Sequence, residues 1–335
     1  VLKLKNLGAW LISLLSVLVT GPGCAGDFQD NPDVEIFIDS MVKQHQFNRQ
    51  ELETLFAGAK KREDILEAIA RPAEKTKPWY EYRKIFLTPK RIEGGVNFWK
   101  ENADILERAG KQYGVDPAII VAIIGVETRY GANTGSYRVI DSLSTLAFAY
   151  PPRSKFFRSE LEQFLILARE EDVDTHTAKG SYAGAMGYGQ FIPSSYRAYA
   201  VDFSGDGKRD LWKSLDDIIG SVANYFHRHG WQAGEPVANK VTSTQPIAAA
   251  QISEGLKPGK KTAGDFARAG ITSTPTLPED QPVALLKLEQ SDRPEYWLTS
   301  KNFYAITRYN RSPLYSMAVY QLSEAIRDAY QHSQP

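Results

Sequence analysis

A carboxylate stands near the end of an apolar stretch: Ala118-Ile119-Ile120-Val121-Ala122-Ile123-Ile124-Gly125-Val126-Glu127-Thr128-Arg129. Asp116 is a good N-cap and Pro117 suits the first helical position, so the stretch reads as a helix. A helix this apolar is buried. A carboxyl emerging from it is partly desolvated, which disfavours the charged form and raises its pKa. An acid that keeps its proton near neutral pH can protonate a leaving group. A plainer reading is an ion pair, for example with Arg129. Glu127 therefore has to be weighed with the rest of the chain.

The loop Asp202-Phe203-Ser204-Gly205-Asp206-Gly207-Lys208-Arg209-Asp210 has oxygen ligands at the alternate positions of an EF-hand. Asp202, Ser204 and Asp206 would supply positions 1, 3 and 5, the Lys208 carbonyl position 7, and Asp210 position 9. Position 12 is Lys213 where a Glu is usual, and Asp216 is expected to reach back and complete the shell. Hard oxygen donors point to Ca²⁺. A single unpaired loop of this kind suits a structural role. The competing reading is a polar loop that binds no metal.

Gly180-Ser181-Tyr182-Ala183-Gly184-Ala185-Met186-Gly187-Tyr188-Gly189-Gln190-Phe191-Ile192-Pro193 is dense in small residues. It matches neither the dinucleotide nor the Walker order, and it is not a G-x-S-x-G elbow. Glycines allow a backbone to approach a ligand closely, and Ser181 and Gln190 could then bond to it. A tightly packed turn fits equally well. The histidines His45, His176, His227, His229 and His332 form no H-E-x-x-H pair. Nothing in the sequence points to a Ser-His-Asp triad.

The elements that must position these groups are mostly helical. Val34, Phe37, Ile38, Met41 and Val42 follow helical spacing, as do Leu52, Leu55 and Phe56 after an Asn48/Glu51 cap. Ile65, Leu66 and Ile69 mark a third helix. A polar, Pro-bounded linker runs from Arg71 to Pro78. Helical signals return at Phe98, Asn102, Ile105, Leu106 and Ala109. Further helices carry Leu161, Phe164, Leu165 and Ala168, then Leu215, Ile218, Ile219 and Val222 after a Ser214/Asp217 cap, and finally Val319, Leu322, Ile326 and Tyr330. From 234 to 300 the texture changes to short apolar runs among Pro, Gly, Thr and Ser. Val283 to Leu288 reads as a strand there. Trp79-Tyr80-Glu81-Tyr82-Arg83 and Tyr309-Asn310-Arg311-Ser312-Pro313-Leu314-Tyr315 read either as packed surface or as aromatic platforms for sugar rings.

The 335 residues allow two or three domains. Lys plus Arg and Asp plus Glu are 40 each, so no net field argues for nucleic acid. The single Cys excludes an internal disulfide. Lys3 and Lys5, an apolar run from Leu7 to Val19 and the small residues up to Gly26 form an export signal, too short for a membrane span. Two endings fit it. Cys24 is lipidated, although Gly21 and Pro22 depart from the usual lipoprotein signal, or cleavage follows Ala25.

Several separated blocks together resemble the membrane-bound lytic murein transglycosylase B family of Gram-negative bacteria. They are Lys77 to Arg83, Gly125 to Gly131, Tyr150-Pro151-Pro152-Arg153, Ser181 to Pro193, Asp202 to Trp212 and Thr307 to Tyr315. The resemblance implies a mainly α protein: a lysozyme-like helical core, an additional helical domain and a small β-containing domain. The corresponding segments are a signal peptide at 1–25, a helical domain at 28–95, the core at 96–232 and 303–335, and the β-containing domain at 233–302. It implies Glu127 as the sole acid/base. Ser181, Gln190, Tyr82, Arg153, Tyr309, Asn310 and Tyr315 would line the glycan cleft, with Tyr225 joining them from outside the matching blocks. It also implies structural Ca²⁺ in the loop from Asp202 to Asp216, and no organic cofactor.

The implied reaction cleaves the β-1,4 bond between N-acetylmuramic acid and N-acetylglucosamine and leaves 1,6-anhydromuramoyl ends. Most glycosidases need two carboxylates. Here the muramoyl 6-hydroxyl would be an internal nucleophile, so one suffices. The expected partners are peptidoglycan glycan strands, with cell-wall synthesis enzymes as further partners that the sequence does not specify. The expected location is the periplasm, with outer-membrane anchoring only through a lipid on Cys24. The alternatives are a hydrolytic muramidase and a non-catalytic peptidoglycan-binding scaffold.

Overall fold

The computed structural model describes residues 26–70 and 77–333. The export signal with Cys24 and most of the Pro-bounded linker lie outside the described residues. Among those described, fourteen α-helices carry the architecture. The first three are α1 (Pro32–His45), α2 (Arg49–Ala57) and α3 (Glu63–Ala70), at the positions the apolar spacing predicts. Asn31 and Asn48 cap α1 and α2 by accepting from Asp33 and Glu51 amides.

The helices around the carboxylate are α4 (Trp79–Phe86), α5 (Pro89–Glu101), α6 (Ala103–Tyr113) and α7 (Pro117–Thr128). The apolar signals around Asn102 belong to two helices rather than one. Asn102 separates them because its Nδ2 donates to the Phe98 carbonyl at 2.8 Å, drawing the backbone out of helical register. In α7 every residue from Ala118 to Val126 is buried. The helix is apolar on all sides because α5, α6, α11 (Leu215–Arg228) and α14 (Pro313–His332) surround it. The remaining helices are α8 (Val139–Ala149), α9 (Ser154–Glu171), α10 (Pro193–Tyr199), α12 (Ala263–Arg268) and α13 (Lys301–Tyr309).

Two short strands, β1 (Tyr137–Arg138) and β2 (Lys179–Gly180), pair beside the Gly-rich loop. A four-stranded antiparallel sheet occupies the stretch where the sequence texture changes. Its strands are β3 (Ala238–Ser243), β4 (Ile271–Thr274), β5 (Ala284–Leu288) and β6 (Glu295–Thr299), in the order β4-β3-β6-β5. It has its own apolar cluster of Ala263, Phe266, Ile271, Leu277, Val283, Leu285 and Leu298. The sheet is joined to α4: Trp79 is fully buried and its indole N–H donates to Glu295 at 2.9 Å. Trp79 is therefore packing material, not a platform for a sugar ring.

Candidate active site

Glu127 is half-buried on the last turn of α7. The chain leaves this helix sharply. Arg129, Tyr130 and Gly131 have φ of 54°, 60° and 87° in succession. Two L-residues hold this unfavourable conformation because their surroundings impose it. The Arg129 and Tyr130 amides bond to the Gly125 and Ile124 carbonyls. The Tyr130 ring folds back onto α5 and α7, and its hydroxyl donates to the Arg91 carbonyl at 2.8 Å. A Cβ at Gly94, Gly95 or Gly125 would come within 2.9, 2.7 and 2.5 Å of that side chain. Thr128, fully buried, reaches the Tyr188 carbonyl at 3.0 Å and accepts from the Gly131 amide at 3.0 Å. These contacts fix the end of α7 against the Gly-rich loop.

The side of Glu127 facing the C-terminal helices is aromatic. Tyr315, in the first turn of α14 and 3% exposed, donates its hydroxyl to Glu127 Oε1. Burial holds this phenol well above its ordinary pKa, and the Glu127 charge adds to the shift. Tyr315 is thus a fixed neutral donor. Tyr309, at the end of α13, is raised in the same way by burial and then by Glu127, and its hydroxyl donates to the Gly189 carbonyl at 2.6 Å. Among the described residues, Glu127 is the one carboxylate whose charge acts on both tyrosines. Tyr82 on α4 is 3% exposed and acts electrostatically on Tyr315. Asn310 lies on the short connection between Tyr309 and Tyr315.

The Gly-rich loop presents two groups with their polarity already set. Ser181 Oγ accepts from the Ala183 and Ala185 amides at 3.3 and 3.0 Å, so its hydroxyl proton is directed to a partner outside the loop. Gln190 Nε2 donates to the Thr134 and Gly187 carbonyls at 3.1 and 2.9 Å, which leaves Oε1 as the acceptor. Gly187 has φ of 69°, and a Cβ there would meet the Leu211 carbonyl at 2.2 Å. Only glycine fits.

Two expected cleft residues are held by contacts of their own. Tyr225 is 6% exposed and donates its hydroxyl to the Arg308 carbonyl at 2.5 Å. Its ring lies 4.7 Å from that of Tyr309. It packs against Tyr309. Arg153 is exposed before α9, its guanidinium over the rings of Phe156 and Phe157 at 4.3 and 5.1 Å.

The loop from Asp202 folds around its acidic side chains. Asp202 accepts from Ser204 Oγ and from the Gly205, Asp206 and Gly207 amides. Asp206 accepts from Lys208 N, and Asp210 from Trp212 N and Lys213 N. The Asp216 carboxylate pairs with Arg108. Its neighbour Asp217 is fully buried. It accepts from the Phe203, Ser204 and Asp210 amides at 2.8, 2.9 and 3.0 Å. Asp202, Asp206 and Asp217 each bring a carboxylate oxygen within 4.8 Å of the others. An all-oxygen, strongly anionic set of this kind fits a hard divalent cation.

Residues 29–324 match the family model described as transglycosylase SLT domain. The chain belongs to the transglycosylase SLT family. It is 47% identical over 313 residues to membrane-bound lytic murein transglycosylase B of Escherichia coli (strain K12), covering 90% of this chain and 84% of that one. The crystal structure of soluble lytic transglycosylase SltB1 from Pseudomonas aeruginosa superposes with a TM-score of 0.85. It is 49% identical, over 90% of this chain and all (100%) of that one. The Escherichia coli lytic transglycosylase Slt35 in complex with calcium gives a TM-score of 0.84 at 46% identity, over 92% and 96% of the two chains. The family resemblance read from the separated sequence blocks is borne out. So is the mainly helical, lysozyme-like fold.

The contacts of Arg91, Tyr130 and Asp217 escape the sequence reading, because all three bond to backbone groups far away in the chain.

Proposed function

We propose that the chain is a peptidoglycan lytic transglycosylase that cleaves between N-acetylmuramic acid and N-acetylglucosamine and closes a 1,6-anhydro ring. The observation that carries this reading is Glu127, a half-buried carboxyl at the end of an apolar helix with the Tyr315 hydroxyl on Oε1. That bond fixes the carboxyl in place, and Glu127 holds the exchangeable proton. Glu127 gives this proton to the glycosidic oxygen as the C1–O bond breaks. The carboxylate so formed keeps the Tyr315 hydrogen bond, and the substrate's acetamido group supports the cationic centre. The muramoyl 6-hydroxyl then attacks C1 and returns its proton to Glu127. No water is consumed.

A water-using muramidase mechanism ordinarily places a second carboxylate across the cleft. Besides Glu127, the groups that act on these phenols are tyrosines: Tyr225 on Tyr309, and Tyr309 and Tyr82 on Tyr315. Ser181 supplies a donor and Gln190 an acceptor for the glycan, and Tyr309, Asn310 and Tyr315 form the facing wall. Mass spectrometry of muropeptides after incubation with the purified protein tests the reading. The expected product is lighter by one water than the hydrolytic one. Reducing-end muramic acid as the main product would mean hydrolysis, and undigested peptidoglycan would mean a binding scaffold.

Asp202, Asp206 and Asp217 would hold Ca²⁺, which would cross-link the loop to α11. Ca²⁺ bound only to the folded state raises the melting temperature, and a chelator should reverse the rise. An unchanged melting curve would remove the ion from this account.

The signal before Gly26 directs export to the periplasm, and Cys24 carries a lipid anchor. Cys24→Ala should then move the protein from the membrane to the soluble fraction. Identical fractionation of both forms would count against acylation.

A further inference from the structure

Arg91 is in the wrong place for its own helix. It lies in the first turn of α5, where a cation opposes the helix dipole. Its side chain crosses instead to the last turn of α7. Nη1 donates to the Gly125 carbonyl at 2.6 Å and lies 3.5 Å from that of Val126, the residue before Glu127. The guanidinium stands over the Phe86 ring at 5.2 Å, and the residue is 9% exposed. Arg91 has no carboxylate partner among the described residues. Burying an unpaired guanidinium is costly, and burial pulls its pKa below the usual value, with Arg129 adding to the effect. What stabilises the cation is the negative end of α7.

That same helix end works against Glu127. The terminal carbonyls of a helix disfavour a nearby anion, yet Glu127 becomes an anion once it has delivered its proton. From the geometry we infer that Arg91 is a positioning residue for Glu127: it fixes the last turn of α7 and offsets the negative helix end as the carboxylate forms. The inference rests on the acid/base reading of Glu127.

The other groups around Glu127 do not substitute for it. Tyr315 on α14, Tyr309 on α13 and Tyr82 on α4 are hydroxyls, and Tyr315 and Tyr309 titrate far above neutrality. The buried titratable groups on α11 are Tyr225 and Asp217, the latter bonded into the Asp202 loop. Burial lowers the pKa of His229, beyond α11. The buried face of α6 is Leu106 and Ala109. Arg129, two residues on from Glu127, is exposed, and Arg83 on α4 and Arg308 on α13 are half-buried.

The test is the pH profile of kcat/KM for Arg91→Met and Arg91→Lys on purified peptidoglycan, beside Glu127→Gln. Without the cation the Glu127 pKa rises, so the alkaline limb, where the acid loses its proton, moves up. For Arg91→Met the expected shift is about half to one pH unit, on the scale of charge effects at helix ends. Its kcat should fall roughly 10-fold with KM within about 3-fold, as for a misaligned catalytic group. Arg91→Lys should restore the limb and most of kcat. If Arg91→Met does not fold, Arg91→Gln, which keeps two donors without the charge, is expected to show the same limb shift. An unshifted limb in the uncharged variant, or equal behaviour of the Lys and uncharged variants, overturns the inference. Turnover by Glu127→Gln would overturn the acid assignment itself, a separate outcome.

Discussion

Glu127→Gln should lower turnover by roughly 10²-fold or more, on the scale of losing a general acid, while folding and glycan binding persist. The amide matches the carboxyl in shape, and its oxygen still accepts the Tyr315 hydroxyl, so the end of α7 keeps its geometry. What disappears is the proton. The loss falls on both half-reactions, because the same group protonates the departing oxygen and deprotonates the incoming one. Release of anhydromuropeptides measures the rate, and sedimentation with insoluble peptidoglycan measures binding. Near-wild-type release would sink the assignment.

Asp217→Ala should be the most damaging single change in the Asp202 loop. The carboxylate is fully buried and receives three backbone amides, from Phe203, Ser204 and Asp210. Truncation strands all three. At about 1–3 kcal/mol for each unsatisfied group, partly recovered by water entry, the expected loss is about 3 kcal/mol. The Ca²⁺-dependent rise in melting temperature should vanish with it. Asp216→Ala, one residue away, breaks only a partly exposed pair with Arg108 and should cost about 1 kcal/mol or less. Denaturant titrations of the two variants, with and without Ca²⁺, provide the comparison. Equal losses would mean that Asp217 does not anchor the loop.

These two positions show where sequence is informative. The Glu127 helix is legible because cap, proline and an unbroken apolar run agree. The choice between Asp216 and Asp217 is not. Adjacent helical residues point about 100° apart, and only the docking of α11 decides which of them faces the loop. Asp217 was also readable as half of a capping box with Ser214. Its amide does bond to Ser214 Oγ, but its carboxylate turns to the loop.

Helix α8 is missed for the opposite reason to α7. Its Asp141, Ser142, Ser144 and Thr145 look like a solvent face, yet all are buried. Asp141 is bonded to Arg138 and to the Lys60 amide, and Thr145 receives the Arg62 amide. Partners so distant in sequence are invisible to periodicity. The same holds for Trp79, whose glutamate partner lies 216 residues away.

The separation of Glu127 from Tyr315 has a consequence for when the protein becomes active. The two are 188 residues apart, and the hydroxyl arrives only after the whole sheet-bearing stretch has been made. Helix α7 is itself incomplete until α14 packs along it. A ribosome-bound chain, or one clipped anywhere before α14, carries the acid without its hydroxyl donor and with one flank of its most apolar helix uncovered. The ability to cut is thus a property of the finished polypeptide. An unfinished copy of an enzyme that severs the load-bearing wall of its own cell would remain harmless.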